Sequence, residues 1–299
     1  MIDGMRVRAP VTLAAVGLFL SGSALAGGAA PTAPLLLAAG DIAACDSNGD
    51  EATAALLRAH PRATVATLGD NVYPDGRLGE FRRCYAPTWG VAKNRTRPAA
   101  GNHDYRTDGA AGYFAYFGRR AGPRGRGWYR YRLGTWQVFV LNSNCEQVGG
   151  CARGSAQERW LRRTLAANRA TCTLAYWHHP RFSSADRHGG SPATAAFWAA
   201  LYQAGADVVL SGHDHVYERF APQTPSARPA PGRGIRAFVV GTGGAGLYGF
   251  REPQPNSRVR VAKYGLLALT LGRGRYSWRF LAAGGGVSDS GSARCVGAR

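Results

Sequence analysis

The sequence predicts an α/β fold in which a pair of packed sheets, mixed in strand direction, is flanked by helices. Three observations predict it. Apolar strand-like stretches recur that end in a glycine turn, and these turns are tipped with Asp, Asn or His. Helix signals are spaced between the strands, and the chain closes on two strands, Leu266–Leu271 and Tyr276–Leu281, that read as an antiparallel hairpin. In open α/β sheets ligands bind at the carboxyl ends of strands, so the turns bearing polar tips are where function is expected.

Taken in order, residues 1–26 read as a secretory signal. Arg6 and Arg8 precede an apolar run from Val11 to Leu20, and Ala24-Leu25-Ala26 offers a small-residue cleavage site. The run is too short for a good membrane span, and an uncleaved anchor is the alternative reading. Residues 27–34 form a short linker, 35–283 one domain, and 284–299 a C-terminal tail. About 270 residues remain after cleavage, enough for a sizeable core in one domain.

Within the domain, Leu35–Gly40 delivers Asp41, and Ala63–Gly69 delivers Asp70, Asn71 and Tyr73. Gly101 delivers Asn102, His103 and Asp104. Thr171–Trp177 delivers His178 and His179, and Ala206–Ser211 with Gly212 delivers His213, Asp214 and His215. Helices fit at 51–59, at 155–169 with Ser155 and Glu158 as a capping box, and at 193–203 after Pro192. Further strands fit at 128–133, 135–141 and 235–241. Linker-like composition at 222–231 and from Gly284 onward predicts a long loop and a frayed end.

Any one tip alone reads as a polar turn. Six of the seven histidines lie in or near these tips, and imidazole is the commonest metal ligand among side chains near neutral pH. The order Gly40-Asp41, Gly69-Asp70-Asn71-Val72-Tyr73, Gly101-Asn102-His103-Asp104, His178-His179-Pro180 and Gly212-His213-Asp214-His215 resembles the calcineurin-like metallophosphoesterases. The tyrosine at 73 makes it similar to their purple acid phosphatase branch. The resemblance spans Leu35 to Leu271 and implies a four-layer αββα sandwich. The first motif departs from the family's Asp-x-Gly or Asp-x-His, reading Asp41-Ile42-Ala43. A histidine is missing there in the purple type too, whose tyrosine takes its place.

The resemblance implies two metal ions, ~3.5–4 Å apart, that bind phosphate oxygens and turn water into hydroxide. Asp70 would bridge them. Asp41, Tyr73 and His215 would complete one site, and Asn102, His178 and His213 the other. Phenolate and carboxylate suit a hard trivalent ion, so iron(III) with zinc, manganese or iron(II) is implied. His103 would contact phosphate and help protonate the leaving group, with Asp104 beside it. His188, in the loop after His178, reads as an acid or as a solvated loop residue, and His179 as a supporting neighbour of the ligands. Gly241–Gly246 reads as a strand-ending turn or an anion cradle. His60 ends a helix and carries no chemistry.

The chain has 37 basic and 18 acidic residues; removing 1–26 takes two arginines and one aspartate, leaving 35 and 17, a net +18. Such a charge attracts phosphate-bearing ligands without specifying a fold. Arg119, Arg120 and the arginines from Arg124 to Arg132 are interleaved with Gly and aromatics, so they read as surface, and nucleic acid is not the expected partner. Six cysteines in an exported chain predict disulfides. Cys145 and Cys151 flank a short closable loop; Cys45 with Cys84 and Cys172 with Cys295 are the expected further pairs among fifteen possible connectivities.

These readings converge on a secreted or envelope phosphomonoesterase acting on small organic esters. A phosphodiesterase on nucleotides or glycerophosphodiesters is the same-fold alternative. A secreted basic polyanion-binding protein without turnover is the alternative of another class. Oligomeric state has no signal in the sequence.

Overall fold

Leu35-Leu36-Leu37-Ala38-Ala39 and its counterparts form strands because short apolar runs punctuated by glycine can be buried on both faces. The computed structural model describes residues 1–4, 6, 9–10 and 33–297, and the chain divides into Met1–Thr32 and Ala33–Arg299. The expected signal segment and linker fall almost wholly outside the described residues. In chain order the strands are β1 (Leu35–Ala39), β2 (Ala43–Ala44), β3 (Thr64–Leu68), β4 (Val72–Tyr73), β5 (Thr96–Ala99), β6 (Tyr129–Leu133), β7 (Trp136–Val140) and β8 (Cys172–Tyr176). They continue as β9 (Val208–Ser211), β10 (Tyr217–Phe220), β11 (Arg236–Val240), β12 (Ser257–Val261), β13 (Gly265–Gly272), β14 (Arg275–Ala282) and β15 (Val287–Arg294). The helices are α1 (Gly49–Ala59), the single turn α2 (Leu78–Glu80), α3 (Ala111–Phe117), α4 (Ala156–Ala166) and α5 (Ala195–Gln203).

One sheet runs β15-β14-β13-β1-β3-β5 and the other β12-β10-β11-β9-β8-β7-β6. The motif strands are parallel in each: β1, β3 and β5 in the first, β7, β8, β9 and β11 in the second. Leu36, Leu174, Leu210, Phe238, Leu267 and Leu269 pack between the two sheets. Fully burying a side chain of this size contributes about 1.5–3 kcal/mol, so this layer outweighs any surface ion pair. A second core, with Trp177, Phe197, Leu201 and Phe220, fills the space between the seven-stranded sheet and α4 and α5. Ser155 caps α4, its Oγ accepting from Glu158 N at 3.3 Å, while Glu158 Oε2 accepts from Gly154 N at 2.9 Å. No helix among the described residues is long and apolar enough to cross a membrane.

The C-terminal reading needs correction. Beyond the turn at Gly284–Gly286 the chain is ordered as β15, antiparallel to β14 from Val287↔Leu281 to Arg294↔Arg275. Its serines 288, 290 and 292 face solvent while Asp289 is buried and Gly291 lies against the Trp278 ring, a period-2 pattern in small polar residues. The disulfide Cys172–Cys295 then fastens the end to β8, and Cys45–Cys84 and Cys145–Cys151 close the other two pairs.

Candidate metal centre

The parallel strands of both sheets point their carboxyl ends at one place, so the turns after β1, β3, β5, β8 and β9 meet. Asp41, Asp70 and His213 all have positive φ, 60°, 48° and 71°. Side chains rarely adopt this conformation, and non-glycine residues held in it cluster at functional sites. The glycines beside them are required by closeness. A Cβ at Gly212 would lie 2.6 Å from Asp41 Oδ2, and one at Gly69, itself at φ 93°, 2.5 Å from the His178 ring.

Two sets of donors meet at Asp70. On one side, Tyr73 Oη lies 3.1 Å from Asp41 Oδ1, from Asp70 Oδ2 and from His215 Nε2. On the other, His178 Nε2 lies 3.3 Å from Asp70 Oδ2, 3.1 Å from Asn102 Oδ1 and 3.2 Å from His213 Nδ1. The imidazoles are oriented from behind by backbone carbonyls, which fixes the nitrogen each presents. His178 Nδ1 donates to Leu68 O at 2.8 Å, His215 Nδ1 to Gly246 O, and His103 Nδ1 to Pro74 O at 2.6 Å. Asp41 also accepts the backbone N–H of His213 at 2.8 Å, so the first and last motifs lock together.

The electrostatics ask for a cation. Asp41 and Asp70 are 0% and 2% exposed, and among the described residues neither pairs with a lysine or arginine. Burial works against the Asp70 carboxylate, yet His178 and then His103 outweigh it and hold it well below the usual range. Burial likewise opposes charge on His178, but Asp70 and Asp41 push its pKa up to about 9. Burial and then the His178 charge push His213 down, while burial, Asp41 and Asp70 push the Tyr73 phenol well up. Mostly oxygen donors on one side of Asp70 and mostly nitrogen on the other, convergent and without a lysine or arginine among the described residues, fit a pair of metal ions. Asp41, Asp70 and His178, and separately His178, His179 and His213, each bring ligand atoms within 4.8 Å of one another.

The other expected residues fall into three groups. His103 is at the centre's edge, its N–H donating to Asp70 Oδ1 at 2.7 Å and its ring 4.3 Å from that of Tyr73. His188 is exposed with its ring 4.3 Å from His213. His179 flanks the nitrogen-rich side, its ring and N–H both held by Ser143 Oγ, at 2.8 and 3.0 Å. Burial and then His178 push its pKa down to about 3.

Asp104, expected beside the substrate, is fully buried. Its carboxylate accepts from Gly101 N at 2.8 Å and from the Asn71 side-chain amide at 2.9 Å, so it braces two motif turns from behind. Burial and then Asp70 push its pKa up to about 7. The glycine run after β11 is a strand-ending turn and not an anion cradle: Gly243 N donates to Gly40 O and Ala245 N to Asp41 O, both at 2.9 Å. His60 follows α1 with Nδ1 2.9 Å from Leu56 O.

Tyr248 has no counterpart in the sequence reading. Its ring stacks on His215 at 4.0 Å and 9°, with Oη 3.3 Å from His215 Nε2. The nearest signal was its place just after the glycine run, in Leu247-Tyr248-Gly249-Phe250.

A Mycobacterium tuberculosis protein of uncharacterized function is 30% identical over 200 residues, 54% of this chain and 38% of that one. Purple acid phosphatase 21 of Arabidopsis thaliana is 32% identical over 137 residues, 42% of this chain and 31% of the plant protein. The chain thus matches under two fifths of the length of these relatives. The purple acid phosphatase from yellow lupin seeds superposes with a TM-score of 0.71 at 18% identity, covering 88% of this chain and 54% of the lupin chain, which shows a shared fold. The family model for calcineurin-like phosphoesterases matches residues 34–217, and the chain belongs to that family.

Proposed function

We propose that the protein is an exported phosphomonoesterase of the acid phosphatase type, with a two-metal centre built on Asp70. The observation that carries this is the placement of Asp70 between two donor sets, Asp41, Tyr73 and His215 on one side and Asn102, His178 and His213 on the other. When bound there, two metal ions would supply positive charge for the phosphoryl oxygens and an activated water, and the oxygen-rich side favours iron(III), with zinc, manganese or iron(II) opposite.

The chain's own residues then divide the remaining work. His103 offers Nε2 to a phosphoryl oxygen because Pro74 holds its other nitrogen. His188, exposed beside His213, gives a proton to the departing alcohol. Tyr248 backs His215 by stacking on its ring. The substrate is a small phosphate ester. Cleavage near Gly27 releases the mature chain, and three disulfides support an oxidising destination.

Metal analysis and hydrolysis of p-nitrophenyl phosphate beside its bis ester test the reading. About two metal equivalents and faster monoester turnover are expected. Preference for the bis ester would make it a phosphodiesterase, and polyanion binding without turnover of either ester would make it a binding protein.

A further inference from the structure

Two acids next to the last motif are unexplained by the centre itself. Asp214 sits between His213 and His215, and Glu218 lies on β10; both are 0% exposed. A buried carboxylate is costly unless its oxygens are taken up by donors. Here most of the donors come from one segment of the chain. Asp214 Oδ2 accepts from Gly189 N at 3.2 Å. Glu218 Oε2 accepts from Ser184 N at 2.8 Å, and Glu218 Oε1 from the hydroxyls of Ser184 and Ser257, both at 2.5 Å. His188 lies between these two fixed points.

The same segment is fastened to the loop that carries Tyr248. Asp186 N donates to Gly249 O at 3.2 Å, Arg251 N to Ser184 O at 2.9 Å, and Gln254 N to Ser184 Oγ at 2.9 Å. Ala185 and Phe250 form an antiparallel bridge, and Arg251 Nη2 donates to Asp186 O at 2.6 Å. At the end of this arrangement the His188 ring rests on His213 and the Tyr248 ring on His215, the two histidines that flank Asp214.

We infer that Asp214 and Glu218 are positioning residues: they clip the segment 183–190 across the centre and thereby set where His188 stands. The inference rests on the acid role given to His188 under the proposed function. It adds that the central Asp of Gly-His-Asp-His serves the neighbouring loop and not a metal. An acid held in line with a leaving oxygen acts as part of one molecule, and this advantage falls when its loop is released.

The test compares Asp214→Ala, the conservative Asp214→Asn, Ser184→Ala and His188→Ala in the full metal-loaded protein. Two esters are used, p-nitrophenyl phosphate and glycerol 2-phosphate, whose alcohol leaves poorly. Asp214→Ala is expected to slow the glycerol ester selectively by about tenfold or more, and Ser184→Ala by less. Asp214→Asn keeps an acceptor for Gly189 N–H and stays within about threefold. Asp214→Ala combined with His188→Ala is no slower than His188→Ala alone, since residues acting through one group are not additive.

Hydrogen exchange supplies the readout that does not depend on the chemistry. Faster exchange over 183–191 in Asp214→Ala, restored in Asp214→Asn, is expected. Unchanged exchange in both overturns the clip. Equal loss on both esters, or full additivity with His188→Ala, overturns the positioning role. If His188→Ala shows no leaving-group dependence, the acid role itself has failed, and exchange alone decides the clip.

Discussion

Asp289 and the Asp41–Asp70 pair are both nearly sealed from water, and they are neutralised in opposite ways. Asp289 Oδ2 accepts from Tyr217 Oη at 2.6 Å, Arg219 Nε at 2.7 Å and Trp278 Nε1 at 3.1 Å, and its Oδ1 accepts from Arg219 Nη2 at 3.1 Å. The guanidinium itself lies 5.1 Å over the Trp278 ring. Among the described residues, Asp41 and Asp70 bond to imidazoles, a phenol and backbone N–H groups. With 37 basic residues in the chain, arginine was plentiful, and among the described residues none pairs with them. One cluster carries its own cation and pins the last two strands; the other is shaped to take a cation from outside.

Substitution should separate the two roles. Asp70→Asn is expected to lower phosphate-ester hydrolysis by at least about three decades, because the shared carboxylate between the donor sets is lost, while circular dichroism stays that of a folded chain. Hydrolysis within tenfold of wild type at unchanged metal content would break the comparison, for Asp70 would then be as structural as Asp289. Asp289→Ala should do the reverse. It strands a largely buried guanidinium, so urea unfolding should report a loss of about 3–5 kcal/mol, with turnover per folded chain kept within about twofold. A stable variant would mean that Arg219 finds water.

The difference between these clusters also explains what could be read in advance. The centre was legible because its ligands sit at or just beyond five turn tips, four of which follow an apolar run and four a glycine. Asp289 was not, because its partners are 70 residues away at Arg219 and 72 at Tyr217, and Ser-Asp-Ser-Gly-Ser has the composition of a loop. β10 was missed for a related reason: Glu218 and Arg219 make a central strand look polar, though each is satisfied inside the fold. Pro98 hid β5, since proline within a run argues against a strand. Asp104 was misplaced because adjacency to Asn102 and His103 in sequence says nothing about which way a carboxylate turns. Tyr248 stands 33 residues from His215 with no motif spacing, so only the fold brings them together.

A third buried acid tests the comparison from between its poles. Asp207 is 3% exposed; among the described residues no arginine pairs with it, and its carboxylate accepts from Thr173 N at 2.7 Å and Val296 N at 2.5 Å. Burial outweighs those bonds and pushes its pKa up to about 6. The folded state therefore holds this proton more tightly than the unfolded chain. Its stabilisation is complete below about pH 4 and is lost as pH rises through about 6, a change of at most about 3 kcal/mol. Urea midpoints between pH 4 and 7 should fall by this contribution in the wild type relative to Asp207→Asn. Parallel curves would show that the two backbone donors suffice to keep the carboxylate charged.

A smaller loss of rate than at Asp70 is expected at Tyr73, and it bears most directly on which cation the oxygen-rich side takes. Its hydroxyl stands 3.1 Å from Asp41, Asp70 and His215 together, so a cation held by those three would have the phenol oxygen within reach. A phenolate on iron(III) absorbs visible light by transfer of charge from ring to metal, which would colour the iron-loaded protein purple to pink. Tyr73→Phe should remove that band while leaving the fold and the other donors in place. The rate should fall by about tenfold or less, near 1.4 kcal/mol, because Asp41, Asp70 and His215 still surround the position. Visible spectra of iron-loaded wild type and variant decide it. A colour that survives the substitution would place the ligand elsewhere, with Tyr248, also near His215 Nε2, the first residue to examine. An active, colourless protein holding zinc or manganese on both sides of Asp70 would remove iron from the reading, and the contrast between an arginine-matched and a metal-matched acid would still stand.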